Sequence, residues 1–251
     1  MSEHCLQLDV GNSSAKWRLM KMPTGGANSV VERGSFHIDG QQGLAEIQSA
    51  AKQASRVWLS SVADAHKNAQ LVSQLSLPEG VHPWFARSAE RFGDLVNSYQ
   101  EPSRMGVDRW LAMVAARNFT TQRCCVVDVG SALTIDWVSQ KGQHDGGYII
   151  PGPALMERAL LLDTDNVRFE EAPDYRLNPG VSTAEAVRHG IALAQAGAVD
   201  LALRVAHFDA DRDRVFITGG AGRLLAELTG HESSYTEDLV FEGLELVAGE
   251  G

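Results

Sequence analysis

The apolar positions of this chain predict short strands alternating with amphipathic helices. Strands are predicted where a short apolar run ends at glycine or another turn residue, and helices where apolar residues recur every three or four positions. The predicted strands are 5–10, 15–21, 30–38, 57–62, 81–85, 124–129, 133–138, 146–150 and 214–218. The predicted helices are 44–55, 64–74, 105–118, 154–162, 183–206, 224–228 and 239–247, the second of them capped by Asp64.

This order of elements occurs twice along the chain. Each half begins with hairpin-like strands and continues with alternating helices and strands, which favours a mixed α/β architecture with parallel pairing of the later strands. The halves are not divided by a Pro-, Gly- or Ser-rich linker, and polar residues 120–123 are the nearest feature to a boundary. We therefore predict two similar subdomains, residues 1–120 and 121–251, facing a central cleft in which ligands bind.

Composition and charge narrow the class of protein. The 251 residues are 44% hydrophobic and 22% charged, as in ordinary globular proteins that bury a sizeable core. A formal net charge of −10 without a basic run argues against a nucleic-acid partner. The sequence has neither an apolar stretch long enough for a membrane span nor the features of a signal peptide, so we expect a cytoplasmic protein with no membrane partner.

The cysteines and most tryptophans occur in apolar runs. Cys5, Cys124 and Cys125 do not have zinc-site spacing and are predicted to be buried, reduced thiols. Core positions are predicted for four tryptophans, Trp58, Trp84, Trp110 and Trp137. The eight histidines are scattered and are assigned no role.

The first half contains a candidate phosphate loop, CLQLDVGNSSAKW at residues 5–17. An apolar strand ends in Asp-Val-Gly, where glycine lets backbone N–H groups approach a ligand and small polar side chains add hydrogen-bond donors. Phosphate oxygens would be contacted by Gly11, Asn12, Ser13, Ser14 and, through its charge, Lys16. Asp9 would hold Mg²⁺, usually through water, because this ion keeps part of its hydration shell.

The second half repeats the pattern as CCVVDVGSALTIDW at residues 124–137. Asp128, with Gly130, Ser131 and Thr134, would face the first loop across the cleft and bind the same triphosphate. A single Asp-Val-Gly is most simply a tight turn, but two copies between strands favour a function. Pepsin-like proteases, whose paired aspartates share a proton, stay an alternative, although their lobes are almost entirely β and valine stands here where they carry threonine.

Residues 99–109, YQEPSRMGVDR, form a second candidate site at the start of a predicted helix. A helix N-terminus favours anions, Arg109 can bind a carboxylate through two hydrogen bonds, and Asp108 can act as a base. Alternatively, Asp108 only stabilises the helix dipole and Arg109 is a solvated surface residue. The segment alone leaves both interpretations open.

Two glycine-rich loops complete the candidate chemistry. Residues 146–153, GGYIIPGP, form either a phosphate or substrate loop or a plain turn. Gly219 and Gly220, in ITGGAG at residues 217–222, follow a strand and precede a helix, where they can lie against a nucleotide base or ribose. This loop lacks the dinucleotide-binding glycine pattern, so its signal is weak.

Taken together, these motifs resemble those of the type III pantothenate kinases, members of the acetate/sugar kinase, Hsp70 and actin superfamily. Five motifs occur in order through nearly the whole chain: DVGNSSAK (9–16), the tyrosine with GVDR (99 and 106–109), DVGSALTID (128–136), GGYIIPG (146–152) and ITGGAG (217–222). The resemblance implies two ribonuclease-H-like halves. It also implies phosphorylation of pantothenate by ATP, although the family includes members described as transcriptional accessory factors, which keeps an ATP-binding regulator as the alternative.

The resemblance also implies roles for individual residues. Residues 9–16 would bind the ATP phosphates and Mg²⁺, Ser131 would contact ATP, and Asp128 would bind a monovalent cation, K⁺ or NH₄⁺. Pantothenate would be bound by Tyr99, Gly106, Val107, Asp108 and Arg109, with Asp108 as the catalytic base. Thr183 would reach pantothenate from the other subunit of a homodimer. Ser13 and Ser131 stand where the family usually has threonine, and both keep the hydroxyl.

Overall fold

A five-stranded sheet is the framework of the first part of the chain. The computed structural model describes residues 3–11, 14–24, 26–38, 42–163, 167–231 and 234–249. The strands lie in the order β3-β2-β1-β4-β5, with β1 antiparallel to β2 and parallel to β4. They are β1 (Glu3–Val10), β2 (Ser14–Met22), β3 (Ser29–His37), β4 (Arg56–Ser61) and β5 (Pro83–Phe85).

Alternation of side chains along β1 gives this sheet two different faces. Leu6, Leu8 and Val10 are buried on one face in a core that includes Ile47 and Leu71 of the neighbouring helices. Those helices are α1 (Leu44–Ala51) and α2 (Ala65–Leu75), and Asp64 caps α2 by accepting a hydrogen bond from the Lys67 N–H, as the sequence predicts. The alternate positions of β1 carry polar residues to the other face, and the candidate site lies there.

The second sheet repeats this topology with one strand fewer. Its order is β10-β9-β8-β11, with β8 antiparallel to β9 and parallel to β11. The strands are β8 (Arg123–Val129), β9 (Ala132–Val138), β10 (His144–Pro151) and β11 (Asp213–Thr218). The remaining helices are α3 (Val107–Phe119), α4 (Pro153–Asp163), α5 (Thr183–Val205), α6 (Gly222–Thr229) and α7 (Leu239–Gly249).

The contacts within the chain define two compact units that are discontinuous in sequence. One contains Met1–Glu90, Tyr99–Ala115 and Val240–Gly251, and the other contains Arg91–Ser98 and Ala116–Leu239. These units differ from a single division at residue 120 because α7 joins the first sheet and residues 91–98 join the second. The assignment of 1–120 and 121–251 as two ribonuclease-H-like subdomains stays a prediction.

The observed elements confirm the predicted mixed α/β fold, with differences at the ends. The first helix ends at Ala51 instead of residue 55, and α3 begins at Val107 because a 3-10 turn, Pro102–Arg104, precedes it. The short hairpin β6 (Arg91–Phe92) and β7 (Leu95–Val96) was not predicted, since two-residue strands leave no periodic signal. The described residues form seven helices and parallel strand pairs, which are incompatible with the nearly all-β lobes of a pepsin-like protease.

Burial of the cysteines and tryptophans was predicted correctly with one exception. Trp58, Trp110 and Trp137 are buried, but Trp84 is 39% exposed because it lies in the edge strand β5. All three cysteines are buried thiols outside any disulfide. Burial raises the pKa of both Cys5 and Cys124 to about 12, so these thiols stay protonated. Across the described ranges, the helices include none long and apolar enough to cross a membrane.

Candidate active site

Asp9 lies near the end of β1, between two polar neighbours. Its strand partners are Lys16 of β2 and Ser60 of β4, and the Ser60 hydroxyl donates a hydrogen bond of 3.0 Å to the Asp9 carboxylate. Ser60 had no sequence signal of its own, because only the parallel pairing of β1 and β4 brings it beside Asp9.

The surroundings of Asp9 disfavour its ionised form. Burial of the carboxyl, followed by the negative charge of Asp108, raises the pKa of Asp9 to about 6, while Ser60 and Lys16 act in the opposite direction. Asp9 and Asp108 are therefore within electrostatic reach of one another although 99 positions separate them in the sequence. Perturbed acids of this kind are typical of functional sites.

The turn after Asp9 is closed by its own backbone. The N–H of Gly11 donates to the carbonyl oxygen of Ser14 at 3.0 Å, and a Cβ on Gly11 would lie only 3.2 Å from that oxygen. Ser14 and Lys16 are exposed at the start of β2. Asn12 and Ser13, predicted to contact phosphate, lie outside the described residues.

Asp108 is in the first turn of α3. One of its carboxylate oxygens accepts a hydrogen bond of 2.7 Å from the N–H of Arg109. A Cβ on Gly106 would lie 2.6 Å from the same oxygen, so any larger residue at 106 would displace the Asp108 carboxylate from this position. This local geometry fixes the direction of the carboxylate, and Val107 beside it is buried.

Arg109 is buried, which excludes one part of the alternative interpretation of its segment. The residue is only 6% exposed, which excludes a solvated surface side chain. Its guanidinium donates a hydrogen bond of 3.0 Å to the Tyr99 hydroxyl and lies 5.8 Å from the centre of the Tyr99 ring. The structure therefore brings together Tyr99, Asp108 and Arg109, three of the predicted substrate-binding residues.

Asp128 occupies the corresponding position in the second sheet. It pairs with Thr134 of β9 and Thr218 of β11, as Asp9 pairs with Lys16 and Ser60. Gly219, at φ +95°, lies directly against it: a Cβ there would be 2.4 Å from the carboxylate and 2.5 Å from the carbonyl oxygen of Val129. Gly219 is thus required for the close approach of the β11–α6 loop to Asp128.

Ser131 lies in a turn held by the loop before α4. The N–H of Gly152 donates to the Ser131 carbonyl oxygen at 3.0 Å, and a Cβ on Gly152 would lie 2.2 Å from the carbonyl oxygen of Gly130. The Ser131 residue itself is exposed, as is Gly220. The glycine-rich segment 146–153 therefore supports the second Asp-Val-Gly turn, and most of it is the strand β10.

Thr183 is the first residue of α5 and is exposed. Ser182 caps the helix by accepting a hydrogen bond of 3.2 Å from the Glu185 N–H, and the Glu185 carboxylate accepts one of 2.7 Å from the Val181 N–H. This reciprocal cap fixes the start of the helix and so the position of Thr183. Within its unit, Thr183 borders a groove of about 710 Å³ that includes Arg168.

The buried residue His144 was missed because the histidines gave no pattern in the sequence. His144 is 1% exposed; its Nε2 lies 3.0 Å from the Asp136 carboxylate and its Nδ1 lies 2.8 Å from the Ser98 hydroxyl. This network attaches residues 91–98 to the second sheet. Its partners come from three separated segments, so no local motif could have indicated it.

The oxygen donors suit the two expected cations differently. Within the described ranges, no cluster of three or more His, Cys, Asp or Glu residues could hold a metal by itself. Mg²⁺ commonly uses one or two carboxylates with water and phosphate oxygens. Burial and then the charge of Asp108 raise the pKa of Asp9, and a cation bound there would offset both effects. The Asp128 carboxylate and the carbonyl oxygen of Val129 both lie close to Gly219, and carboxylate and carbonyl oxygens are the kind of donor that a hard cation prefers.

Comparison with known proteins identifies relatives along nearly the whole chain. A family model described as type III pantothenate kinase matches residues 5–204. The type III pantothenate kinase of Hahella chejuensis is 37% identical over 245 residues, covering 97% of this chain and 96% of that protein. That of Pseudomonas aeruginosa is 37% identical over 250 residues, covering 96% and 97%.

Solved structures share the fold at lower identity. A conserved Campylobacter jejuni protein assigned to the Baf family of transcriptional activators has a TM-score of 0.59 at 23% identity, covering 98% of both chains. The ethanolamine utilization protein EutJ of Carboxydothermus hydrogenoformans has a TM-score of 0.52 at 13% identity, covering 97% of this chain and 89% of its own. At these identities the likeness shows the fold alone.

Proposed function

Because the chain belongs to the type III pantothenate kinase family, we propose that it transfers the γ-phosphoryl group of ATP to the primary hydroxyl of pantothenate. The product is 4'-phosphopantothenate, which is the first intermediate towards coenzyme A. The match over residues 5–204, together with relatives aligned over 97% of the chain, is the observation that carries this proposal.

In this proposal Asp108 is the catalytic base. It accepts the proton of the attacking hydroxyl or orients that hydroxyl towards the γ-phosphorus. The fixed direction of its carboxylate supports the role, since phosphoryl transfer depends mainly on positioning and electrostatics. Arg109 and Tyr99 hold the substrate, and the buried guanidinium supports binding of the pantothenate carboxylate. Gly106 and Val107 give that substrate access to the backbone at the start of α3.

The first Asp-Val-Gly turn binds the ATP phosphates in this scheme. Lys16 neutralises phosphate charge, and donors of the turn contact phosphate oxygens: Gly11, Asn12, Ser13 and Ser14. Asp9 holds Mg²⁺ through water, and its unfavourable ionisation beside Asp108 supports the presence of a cation there. When bound, the ion supplies positive charge that offsets the charge of the phosphates.

The second Asp-Val-Gly turn binds a monovalent cation and ATP. Asp128 holds K⁺ or NH₄⁺, supported by the carboxylate and carbonyl oxygens beside Gly219. Ser131 contacts ATP through its exposed hydroxyl, and Gly219 with Gly220 lies against the nucleotide. These roles follow the family motifs residue by residue, with serine in place of the usual threonine at 131.

We also propose a cytoplasmic homodimer in which Thr183 reaches the pantothenate site of the other subunit. Large apolar residues are exposed along the helix that begins at Thr183, namely Leu193, Leu201 and Val205. Such a row favours contact with another protein surface. The three buried thiols suit a reducing compartment.

The regulator alternative is not favoured. The curated relatives are named as kinases, and the neighbour named for transcriptional activation shares only the fold.

A coupled assay distinguishes the kinase from the regulator. The purified chain is incubated with ATP, Mg²⁺ and pantothenate, with K⁺, NH₄⁺ or Na⁺ at equal ionic strength, and 4'-phosphopantothenate is measured by mass spectrometry.

We expect turnover that depends on pantothenate and is highest with K⁺ or NH₄⁺. Absence of turnover with intact ATP binding would contradict the kinase and favour the regulator. Turnover independent of the monovalent cation would leave the kinase and contradict only the role of Asp128.

A further inference from the structure

The C-terminal helix α7 is fixed to the first sheet by a buried arginine. Arg18 of β2 is 2% exposed, and its guanidinium donates to Glu242 at 3.0 Å and to Glu245 at 2.6 Å. Gln7 of β1 joins the group by accepting from Arg18 at 2.6 Å and donating to Glu245 at 3.2 Å. The Arg18 guanidinium also lies 4.9 Å from the centre of the Phe241 ring.

Gln7 in β1 and Arg18 in β2, which anchor α7, lie close in sequence to the proposed phosphate loop that joins these two strands. Gln7 and Arg18 are paired in the sheet, and the pair two positions further along is Asp9 with Lys16. Side chains two positions apart in a strand lie on the same face. Helix α7 is therefore attached to the face of the sheet that carries Asp9.

Helix α7 also touches α3 at very short range. A Cβ on Gly243 would lie 2.0 Å from the carbonyl oxygen of Leu111, 2.6 Å from its carbonyl carbon and 2.9 Å from its Cα. All three are backbone atoms, so no side chain can move aside. Leu111 is one helical turn beyond Asp108 in α3.

We propose that α7 is a positioning element of the kinase: its ion pairs with Arg18 hold it on the sheet, and Gly243 sets how closely α3 carries Asp108 to Asp9. Gly243 is a positioning residue, because it touches neither substrate nor reacting atoms. This inference rests on the proposed function of Asp108. It concerns a helix that lies beyond the residues matched by the family model, 5–204.

The expected displacement is large on the scale of catalysis. Real Cβ contacts closer than 3.0 Å essentially do not occur, so an alanine at 243 must move α3 away from α7 by about 1 Å. A misplacement of about 1 Å can cost about 10²-fold in rate. Gly249 in the same helix has open space around its Cβ position, which makes Gly249→Ala the matched control.

The test measures turnover of the full chain with pantothenate and ATP at saturation. We expect Gly243→Ala to lower kcat by about 10²-fold with the KM for ATP within about threefold, and Gly249→Ala to keep kcat within about twofold. In the Asp108→Asn background, Gly243→Ala should lower kcat by less than about twofold, since the group it positions is gone. Fully additive losses would overturn the inference, because they indicate general damage to the fold.

A second pair of variants carries the test if Gly243→Ala does not fold. Glu245→Gln removes only the charge and keeps an acceptor for Arg18, whereas Glu245→Ala removes both, so kcat should fall about tenfold with alanine and clearly less with glutamine. Equal effects of the two would overturn the anchoring role. If the wild type phosphorylates no pantothenate, the proposed function fails by itself. In that case the inference is tested by the crystal structure of Gly243→Ala or Glu245→Ala. A shift of Asp108 relative to Asp9 would support the inference, and an unchanged position would overturn it.

Discussion

The two Asp-Val-Gly turns share a backbone arrangement and differ in what surrounds the carboxylate. Asp9 and Asp128 each lie near the end of a central strand, antiparallel to the next strand and parallel to the fourth of its sheet. The residue opposite in the next strand is Lys16 in the first sheet and Thr134 in the second. The residue opposite in the parallel neighbouring strand is Ser60 in the first sheet and Thr218 in the second sheet.

Their environments separate them chemically. Burial and then the charge of Asp108 raise the pKa of Asp9, and Lys16 is its neighbour in the next strand. Asp128 lies against the backbone of Gly219 and near a carbonyl oxygen. The same turn thus has two different environments, because neighbours brought by later segments determine the charge and the oxygen donors around each aspartate; the proposed function assigns a different cation to each.

The largest expected effect is the loss of turnover when Asp108 is changed. Asp108, in the first turn of α3, is the second acid near the first Asp-Val-Gly turn. Asp108→Asn keeps the shape of the side chain and removes the base, so kcat should fall by about 10²-fold or more. ATP binding, measured by calorimetry, should be nearly unchanged. The exposed acid Glu101 in the same segment provides the control, Glu101→Gln. Full activity of Asp108→Asn would show that the base has been assigned wrongly.

The second turn is tested through the glycine that lies against Asp128. Gly219→Ala places a Cβ 2.4 Å from the carboxylate and forces an unfavourable φ of +95°, so Asp128 must move. We expect the K⁺ concentration for half-maximal activity to rise about tenfold or more. Gly197→Ala, in open space on α5, is the control. An activity loss that saturating K⁺ does not partly restore would point to instability instead of a cation site.

The raised pKa of Asp9 predicts that Mg²⁺ binding at the first Asp-Val-Gly turn depends on pH. With a pKa raised to about 6 by burial and by Asp108, the ionised fraction falls about tenfold per pH unit below that value. The Mg²⁺ concentration for half-maximal activity should therefore be constant above about pH 7 and rise about fivefold between pH 6 and 5. Added Mg²⁺ should shift the acidic limb of the pH–rate profile to lower pH. A limb that does not respond to Mg²⁺ would contradict the role of Asp9.

The smallest expected effect is on stability without ligands. Because the pKa of Asp9 in the folded protein lies above its usual 3.8, its contribution to stability is greatest below about pH 4 and is lost as the pH rises through about 6. The ionised carboxylate is therefore unfavourable at neutral pH. Asp9→Asn should raise Tm there by about 2 to 5 °C, measured by calorimetry, and the exposed Asp211→Asn should not. A lower Tm for Asp9→Asn would contradict this assignment.

Much of the framework follows from short-range patterns. Apolar alternation located the central strands β1 and β8 and the turns that follow them, and the Asp64 cap and the helix starting at Thr183 were predicted at the correct residue. Trp84 was misplaced because edge and central strands have the same apolar residues, and only the sheet order distinguishes them.

The sequence by itself determined the central strands and the repeated turn, and it indicated the candidate residues for phosphate, substrate and cations, since these depend on neighbours a few positions apart. Only the tertiary structure decided that Asp108 lies near Asp9, that Arg109 is buried against Tyr99, and that α7 belongs to the first sheet. Gln7 and Glu245 are hydrogen-bonded across 238 positions. Packing of whole faces creates such contacts, and no local pattern encodes which faces meet.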